Sequence, residues 1–284
     1  MNTVKTGWIG LGKMGIPMSQ QLIKAGYPLS VYNRSKDKEE VFKAQGIGTA
    51  ASPALLLKDA DVVIIMVSDD KAINDIFYSD EGLLAAKASG KIIVNMSTVS
   101  PAISKDVAAI CKEQGNHYLD APVSGSVKQA EDAALVIMVG GEAVAFEQAK
   151  PILEKMGKLV MLVGDTGAGN MAKLAINTLL GIVAQGLAET VTLAQQNGIN
   201  AEALTTLIGN SALGSPFIKI KGDAIVNNNY SAAFALKHIA KDLRLAKDLG
   251  LATPLGKTAY QTYQDAEATF GEEDIIAVIK QIGK

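Results

Sequence analysis

Cysteine, excess basic charge and long apolar segments are all scarce in this sequence of 284 residues. The single cysteine, Cys111, excludes a disulfide within the chain and gives no sign of an oxidising compartment. The 27 Lys and Arg residues face 29 Asp and Glu residues, so the formal net charge of -2 gives no electrostatic reason to expect a nucleic-acid partner. The longest apolar runs, Val62–Val67 and Ala133–Val139, fall well short of the ~18 residues of a membrane-spanning helix. The N-terminal MNTVKTGWIG lacks a secretory pattern, and we therefore expect a cytoplasmic protein with neither a membrane nor a nucleic-acid partner.

Hydrophobic residues and glycine are plentiful instead. Hydrophobic residues make up 48% of the chain and charged residues 20%, which is typical of a globular protein and excludes a disordered one. The length allows a large core or two domains. The 27 glycines are more than average usage, so their positions along the chain carry information.

The first half of the chain alternates short apolar runs with amphipathic stretches. The runs predicted as strands are Val4–Ile9, Leu29–Asn33, Asp61–Ser68, Lys91–Asn95, His117–Asp120, Leu135–Gly140 and Lys158–Val163. The stretches predicted as helices are Gly15–Ala25, Asp37–Gln45, Lys71–Phe77, Pro101–Gln114 and Glu142–Met156, the last interrupted at Pro151. This alternation predicts an α/β fold with a parallel, doubly wound sheet of the Rossmann type.

The second half shows helical periodicity only. The predicted helices are Gly169–Asn197, Ala201–Gly209, Pro216–Val226, Ala235–Leu249, Pro254–Ala268 and Asp274–Ile282. Turn residues at 164–167 separate the two patterns, so we predict an α/β domain over residues 1–164 and an all-helical domain over residues 165–284. The first of these helices is about 29 residues long and apolar on more than one face, which favours packing against a second subunit in a homodimer or homotetramer.

A G-x-G-x-x-G motif, Gly10-Leu11-Gly12-Lys13-Met14-Gly15, follows the first predicted strand and opens the first helix. This context is typical of a dinucleotide-binding unit, in which Gly10 permits the tight turn, Gly12 lets the backbone approach a pyrophosphate, and Gly15 allows close packing of helix and strand. The helix N-terminus then faces the phosphates. The alternative interpretation is a generic glycine turn.

The end of the second predicted strand bears on the choice of dinucleotide. An NAD site usually has Asp or Glu there, whereas this chain has Asn33-Arg34-Ser35 followed by Lys36 and Lys38. Asn33 is neutral and Arg34 offers a planar fork for a phosphate, so we predict NADP(H), with a solvated basic turn as the alternative. The residues assigned to the cofactor are Gly10, Leu11, Gly12, Met14, Gly15, Asn33, Arg34, Ser35 and Lys38, together with Met66, Val67 and Ser68 at the end of the predicted strand Asp61–Ser68.

Three further motifs identify a family. They are Asp120–Ser126, which reads DAPVSGS, the G-A-G-x-x-x-K-x-x-x-N run from Gly167 to Asn177, and Lys241-Asp242-Leu243. Together with the N-terminal motif, and in this order, they resemble the β-hydroxyacid dehydrogenase family over essentially the whole chain. Stretches at residues 95–99, 122–132 and 234–246 look most like glyoxylate/succinic semialdehyde reductases. Ser126 stands where many 3-hydroxyisobutyrate dehydrogenases have a second glycine, which argues against that substrate.

The resemblance implies a role for each residue of these motifs. Lys173 would be the proton donor to the alkoxide formed by hydride transfer, and Asn177, four residues on, would orient Lys173 or contact the substrate oxygen. The other implied roles are substrate carboxylate binding by Ser124 and Gly125, contact with nicotinamide and substrate by Thr98, a pocket wall at Phe234, a cofactor contact at Lys241 and a polar group near the site at Asp242. These roles imply an active site in a cleft to which both domains contribute. Without the resemblance, Lys173 and Lys241-Asp242 would be interpreted as solvated helix charges, Phe234 as core and Ser124-Gly125-Ser126 as a structural turn.

We therefore expect an NADPH-dependent reductase that takes glyoxylate to glycolate and succinic semialdehyde to 4-hydroxybutyrate. The alternatives are a 3-hydroxyisobutyrate dehydrogenase, a tartronate semialdehyde reductase, and a cofactor-binding scaffold that has lost catalysis. The scaffold is disfavoured because family members of that kind lack the lysine. No Cys, His or carboxylate residues cluster at metal-ligand spacing, so we expect no metal.

Overall fold

The computed structural model describes residues 3–283, which form two compact units divided between Lys173 and Leu174. The division falls inside a long helix and not at the turn residues 164–167. The domain ranges predicted from the sequence, 1–164 and 165–284, stay a prediction.

The first unit is built on a sheet whose strands are short and mostly buried. Within the described residues these strands are β1 (Thr6–Ile9), β2 (Leu29–Tyr32), β3 (Gly48–Thr49), β4 (Val62–Ile65), β5 (Ile92–Asn95), β6 (His117–Asp120), β7 (Val123–Ser124), β8 (Leu135–Gly141) and β9 (Gly157–Gly164). The seven strands predicted from apolar runs all occur, with ends shifted by up to three residues. The two further strands, β3 and β7, have two residues each and are too short for a pattern to indicate them.

The strand order is β3-β2-β1-β4-β5-β6-β8-β7, with β9 paired to β8. The chain therefore reverses direction across the sheet between β1 and β4, and such a switch point is where open α/β sheets bind ligands, at the carboxyl ends of the strands. This topology confirms the predicted α/β fold with a doubly wound sheet, but the sheet is not parallel at one end, because β8 runs antiparallel to both β6 and β7. Only two residues, Ala121 and Pro122, separate β6 from β7, and the chain then turns back through one short helix into β8.

Helices cover the sheet and make up the second unit. In the described part of the chain the α-helices are α1 (Gly15–Lys24), α2 (Glu40–Lys43), α3 (Pro53–Asp59), α4 (Asp70–Tyr78), α5 (Pro101–Glu113), α6 (Val127–Glu131), α7 (Ala143–Leu153), α8 (Ala168–Gln196), α9 (Ala201–Gly209), α10 (Pro216–Val226), α11 (Leu236–Asp248), α12 (Pro254–Phe270) and α13 (Ile279–Ile282). Pro151 lies inside α7 and does not interrupt it. The lost N–H costs little there, because Pro151 is exposed and water can reach the carbonyl left without a partner.

Alternate residues of the central strands enter two separate cores. Val62 and Ile64 of β4 belong to one cluster with Trp8, whereas Val63 and Ile65 belong to the other with Ile9. Successive side chains in a strand point to opposite faces, so both faces of the sheet are buried. This explains why the strands are continuous apolar runs in the sequence.

The second unit has its own core, formed by α8, α10, α11, α12 and the 3₁₀ helix Ile275–Val278. Tyr263 is fully buried there, and its hydroxyl donates to the carbonyl oxygen of Gly181 at 3.4 Å. Helix α8 is long and apolar enough to cross a membrane by length and composition alone, and 44% of its most apolar stretch is buried. Core helices of soluble proteins share these properties, so this is weak evidence for a membrane span.

Candidate active site

The glycine motif forms a tight loop between β1 and α1. Gly10 has a φ of +100°, and a Cβ there would lie 2.2 Å from the carbonyl oxygen of Met66; a Cβ at Gly15 would lie 2.0 Å from the carbonyl oxygen of Gly10. Both positions therefore require glycine for packing alone. At Gly12, by contrast, an added Cβ would meet nothing within 4 Å. The backbone at Gly12 faces open space, which fits the close approach of a pyrophosphate.

Two side chains form hydrogen bonds with the backbone of this loop. The indole N–H of Trp8, which is fully buried, donates to the carbonyl oxygen of Gly10 at 2.9 Å, and the side-chain oxygen of Asn33 accepts the backbone N–H of Leu11 at 2.8 Å. No side chain caps the N-terminus of α1. Its N–H groups therefore remain suited to an anion, as a bound dinucleotide would provide.

The turn after β2 carries the residues assigned to a 2′-phosphate. Arg34, Ser35 and Lys38 are exposed, whereas the Asn33 amide is engaged within the protein, donating to the carbonyl oxygen of Ser35 at 2.8 Å. Sequence reasoning missed Glu39, a buried carboxylate that accepts the backbone N–H of Asn33 at 2.8 Å. It lies in a run of charged residues, where nothing in the pattern distinguishes it.

A chain of hydrogen bonds connects the segments that follow β4 and β5 with Tyr118 of β6. The hydroxyl oxygen of Ser97 accepts the backbone N–H of Val67 at 2.9 Å, and the Asn95 side-chain oxygen accepts the backbone N–H of Ser97 at 3.0 Å. The Asn95 amide in turn donates to the hydroxyl of Tyr118 at 3.0 Å. This network fixes the segments that contain Met66, Val67, Ser68 and the half-buried Thr98. Asn95 and Ser97 thus support a predicted site from positions that the sequence left without a role.

Asp120, at the end of β6, anchors the start of α8. Its carboxylate oxygens accept the backbone N–H groups of Gly167 at 2.7 Å and Asn170 at 2.8 Å. Burial raises the pKa of Asp120 to about 6, against the opposing effect of these N–H donors. The side-chain oxygen of Asn170 accepts the backbone N–H of Val99 at 3.0 Å, next to Thr98. Lys173 follows Asn170 by three residues and is only 8% exposed.

The predicted carboxylate-binding residues lie on β7 and the turn after it. Ser124 is half-buried and pairs with Val136 of β8, and Gly125 is exposed with a φ of +142°. A Cβ at Gly125 would lie 2.7 Å from a methyl of Leu135. Gly125 is therefore required by the turn itself, whatever its part in substrate binding.

Asn177, Lys241 and Asp242 come together in the second unit. The Asn177 amide donates to Oδ2 of Asp242 at 2.5 Å, and both side chains are buried. The ammonium of Lys241 lies 3.2 Å from Oδ1 of Asp242 and forms an ion pair with it. Oδ1 of Asp242 nevertheless remains a buried acceptor without a hydrogen-bond donor among the described residues. Such an atom is costly in a folded protein and is a candidate ligand contact.

Phe234 is fixed by a buried acid of the same unit. Oδ2 of Asp274 accepts its backbone N–H at 3.3 Å and that of Ala233 at 3.1 Å, while Oδ1 pairs with the ammonium of Lys221 at 2.7 Å. The Phe234 ring lies 6.0 Å from that of His238, between centroids. The pocket-wall role of Phe234 stays a prediction, as do the individual roles of the other assigned residues.

Among residues 3–283, no group of three or more His, Cys, Asp and Glu side chains could hold a metal ion. The expected absence of a metal stays a prediction. The residues present do fit a dinucleotide, because the open space at Gly12 and the uncapped helix α1 are the features that its phosphates need.

Comparison with known proteins finds a family match for each half of the chain. Residues 5–164 match the family described as the NAD binding domain of 6-phosphogluconate dehydrogenase, and residues 167–282 match the NAD-binding family of NADP-dependent 3-hydroxyisobutyrate dehydrogenase. The chain is 35% identical to the chloroplastic glyoxylate/succinic semialdehyde reductase 2 of Arabidopsis thaliana, over 99% of this chain and 80% of that protein. It is also 35% identical to the NAD-dependent L-serine dehydrogenase of Pseudomonas aeruginosa, over 90% of each. Among solved structures, the 3-hydroxyisobutyrate dehydrogenase of Mycobacterium tuberculosis with L-serine superposes with a TM-score of 0.91, at 30% identity and full coverage of both chains.

Proposed function

The chain belongs to the β-hydroxyacid dehydrogenase family and is a nicotinamide-dependent oxidoreductase, and from this premise we propose that it is an NADPH-dependent reductase of short aldehydes that carry a carboxylate. Its substrates are glyoxylate and succinic semialdehyde, which it reduces to glycolate and 4-hydroxybutyrate. The similarity to the Arabidopsis reductase supports this choice, as does Ser126 in place of a second glycine.

The burial of Lys173 is the observation that carries the proposal. A lysine within a helix normally projects into water, because burying an ammonium is costly. Lys173 is 8% exposed, one turn after a helix start that Asp120 fixes through two backbone N–H groups. A buried ammonium on a rigid element is suited to polarise a carbonyl and then protonate the alkoxide.

The remaining side chains supply binding and orientation. Bound NADPH would provide the hydride to the aldehyde carbon. The hydroxyl of Ser124 and the backbone at Gly125 bind the substrate carboxylate, and Thr98 contacts the reacting end. Asn177, held by Asp242, orients the substrate oxygen, Phe234 closes the pocket, and Lys241 contacts the cofactor.

Variants of Lys173 test the chemistry. Lys173→Ala removes the proton donor, and we expect kcat to fall by ~10²- to ~10⁴-fold with little change in cofactor affinity. Lys173→Arg keeps the charge but donates its proton poorly, so it should remain nearly as inactive. Lys257→Ala, at an exposed lysine of α12, is the control and should keep normal turnover. Near-normal turnover of Lys173→Ala would refute the assigned role.

A second candidate function is that of a dehydrogenase that acts on a 3-hydroxy acid. It is favoured by the similarity to the Pseudomonas L-serine dehydrogenase and to the mycobacterial structure with L-serine. Steady-state kinetics with glyoxylate, succinic semialdehyde, tartronate semialdehyde and methylmalonate semialdehyde, each with NADPH and NADH, separate the candidates. The highest kcat/KM for one of the last two aldehydes would favour the second candidate.

NADP(H) is the proposed cofactor because the turn after β2 is basic and exposed at Arg34 and Lys38. Arg34→Ala should raise the KM for NADPH more than that for NADH. An unchanged KM for NADPH relative to NADH would contradict this assignment.

We further propose a homodimer or homotetramer in the cytoplasm. Helix α8 exposes large apolar side chains, with Leu179 and Leu193 62% and 63% exposed, and a second copy of the chain would cover them.

The lone Cys111 is buried, and burial raises its pKa to about 12, so it is not suited to disulfide exchange. Light scattering tests the assembly, and cell fractionation tests the compartment.

A further inference from the structure

A buried carboxylate lies at the base of the turn that is proposed to hold the 2′-phosphate of NADP(H). Glu39 is 2% exposed and ends a 3₁₀ helix, Lys36–Glu39, that directly follows this turn. Its Oε1 accepts the backbone N–H of Asn33 at 2.8 Å. Asn33 in turn supports the glycine loop through Leu11 and the turn through Ser35. Glu39 therefore fixes the first residue of the segment that presents Arg34.

A carboxylate at this end of β2 conflicts with an NADP site. An acid near the adenosine ribose favours a free 2′-hydroxyl and repels a 2′-phosphate. Glu39 differs from such an acid because its Oε1 is already occupied by a backbone donor of the protein. Its negative charge nevertheless remains close to the turn, and in a poorly hydrated setting that charge acts over several ångströms.

Lys36 neutralises this charge. Its ammonium lies 2.9 Å from the same Oε1 of Glu39 and 4.2 Å from the centroid of the Tyr32 ring. It also donates to the carbonyl oxygen of Ala50 at 3.4 Å. The Lys36 side chain is itself 49% exposed, like those of the exposed residues Arg34 and Lys38, but its ammonium is engaged with Glu39, which is 3% exposed.

We propose that the Glu39–Lys36 pair is a specificity determinant for the 2′-phosphate: Glu39 shapes the turn, and Lys36 cancels the charge that would otherwise reject the phosphate. The ligand class is a 2′-phosphorylated adenosine, as in NADP(H) and in 2′-AMP. This inference rests on the proposed preference for NADP(H).

Removal of Lys36 gives the first expected result. In Lys36→Met, Glu39 is left unpaired beside the turn, and we expect the Kd for NADP⁺ to rise on the order of tenfold. The Kd for NAD⁺ should change less than about threefold, since its ribose carries no phosphate charge. The effect should shrink as salt is added, because the repulsion is screened. Lys36→Arg restores a cation and should keep wild-type discrimination.

A second substitution separates charge cancellation from direct binding by Lys36. In Glu39→Gln the side-chain oxygen still accepts the N–H of Asn33, but the charge is gone. Lys36→Met combined with Glu39→Gln should therefore bind NADP⁺ within about threefold of the wild type. If Lys36 contacts the phosphate itself, the combined variant will remain as weak as Lys36→Met alone, and the inference is overturned.

The binding experiment requires no catalysis. Trp8 is the single tryptophan, and its indole is bonded to Gly10 in the cofactor loop, so its fluorescence can be titrated with NADP⁺, NAD⁺ and 2′-AMP, with calorimetry as a second measurement. Lys43→Met is the matched control, because Lys43 and Glu40 form an ion pair of the same spacing that is exposed on both sides. It should leave both Kd values unchanged.

Failure of the proposed cofactor and failure of this inference give different results. Tighter binding of NAD⁺ than of NADP⁺ by the wild type contradicts the proposed cofactor, whatever the variants do. A wild type that prefers NADP⁺, with a Lys36→Met variant that weakens both dinucleotides equally, overturns the inference and leaves the cofactor assignment intact. Equal circular dichroism spectra of all variants exclude misfolding as the cause.

Discussion

The carboxylate of Asp120, at the end of β6, accepts the backbone N–H of Asn170 in the first turn of α8 at 2.8 Å. The side-chain oxygen of Asn170 in turn accepts the backbone N–H of Val99, in the loop after β5. One buried acid and one buried amide thus connect the strand that leads to Ser124, the loop that contains Thr98 and the helix that carries Lys173. The relative positions of these predicted site residues depend on two side chains that are not assigned to the substrate or the cofactor.

Asp120 gives a pH-dependent prediction. Its folded-state pKa of about 6 lies above the ordinary value of 3.8, so burial opposes its ionisation in the folded state. The protonated carboxyl group of Asp120 therefore stabilises the folded state at low pH, below ~4, and this stabilisation is lost as the pH rises through ~6. The difference of about two units between the folded and unfolded pKa values corresponds to ~3 kcal/mol in total. Asp120→Asn lacks this titration. We therefore expect the free energy of unfolding of the wild type, relative to that of Asp120→Asn, to fall by about 2 kcal/mol between pH 4 and pH 7, because the unfolded carboxyl group is already more than half ionised at pH 4.

Urea unfolding of both proteins across this pH range measures the effect. Above pH 7 the difference between the two proteins should be constant. A difference that does not vary between pH 4 and pH 7 would show that Asp120 titrates at its ordinary value.

Gly169 gives a prediction about close packing at the same junction. A Cβ at Gly169 would lie 2.5 Å from the carbonyl oxygens of both Asp120 and Met138, so Gly169→Ala must displace the start of α8. We expect a loss of ~1–3 kcal/mol in unfolding free energy, together with a lower kcat as Lys173 shifts. Gly186→Ala, on the same helix, is the matched control, since an added Cβ there meets nothing within 4 Å. It should stabilise the protein by up to ~1 kcal/mol, because alanine favours a helix. Equal effects of the two substitutions on kcat would contradict the packing argument.

The sequence predicts the regular parts of this fold well. The glycine motif, the seven longer strands and α8 depend on local patterns, and α8 is predicted at residues 169–197 and observed at Ala168–Gln196. The antiparallel end of the sheet was missed, because β7 has two residues and its direction is set by a turn and not by periodicity. Helix α3 was missed because its three consecutive leucines show no helical period, although Ser52 caps it through the backbone N–H of Leu55.

The residues of the candidate site likewise divide into those that the sequence indicates and those that only the structure shows. Gly10 can be found from the local glycine motif, whereas Ser124 and Lys173 are assigned only because their motifs resemble those of a family. Asn95, Ser97 and Glu39 could not be found, because each acts through a hydrogen bond to a backbone N–H whose position only the folded chain determines. A polar residue of this kind looks the same in the sequence as a solvated one.

Asn177 and Asp242 should be energetically coupled. Asn177→Leu leaves Oδ2 of Asp242 buried without its donor, and we expect a loss of at least ~1–3 kcal/mol in unfolding free energy. Adding Asp242→Leu removes the stranded carboxylate, so the double variant should lose less than the sum of the two single losses. Urea unfolding of the four proteins forms the thermodynamic cycle. Additive losses would mean that the 2.5 Å contact carries no coupling.

The buried pair of Lys221 and Asp274 should dominate the stability of the second unit. Both side chains are under 8% exposed, and Asp274 also accepts the backbone N–H groups of Ala233 and Ile276. Lys221→Met leaves the carboxylate buried without its cation, and we expect a loss of ~3–5 kcal/mol in unfolding free energy.

Lys280→Met is the matched control, because Lys280 pairs with Glu273, the neighbour of Asp274, at about one-third exposure on each side. A partly exposed ion pair contributes ~0–1 kcal/mol, so this variant should unfold close to the wild type. Both substitutions remove one lysine charge, so a difference between their unfolding free energies reports the burial of the carboxylate partner. Similar losses in urea unfolding would mean that the burial of Asp274 does not determine the loss of stability. Since Asp274 also holds the backbone of Phe234, Lys221→Met should raise the KM for the aldehyde as well, and Lys280→Met should not.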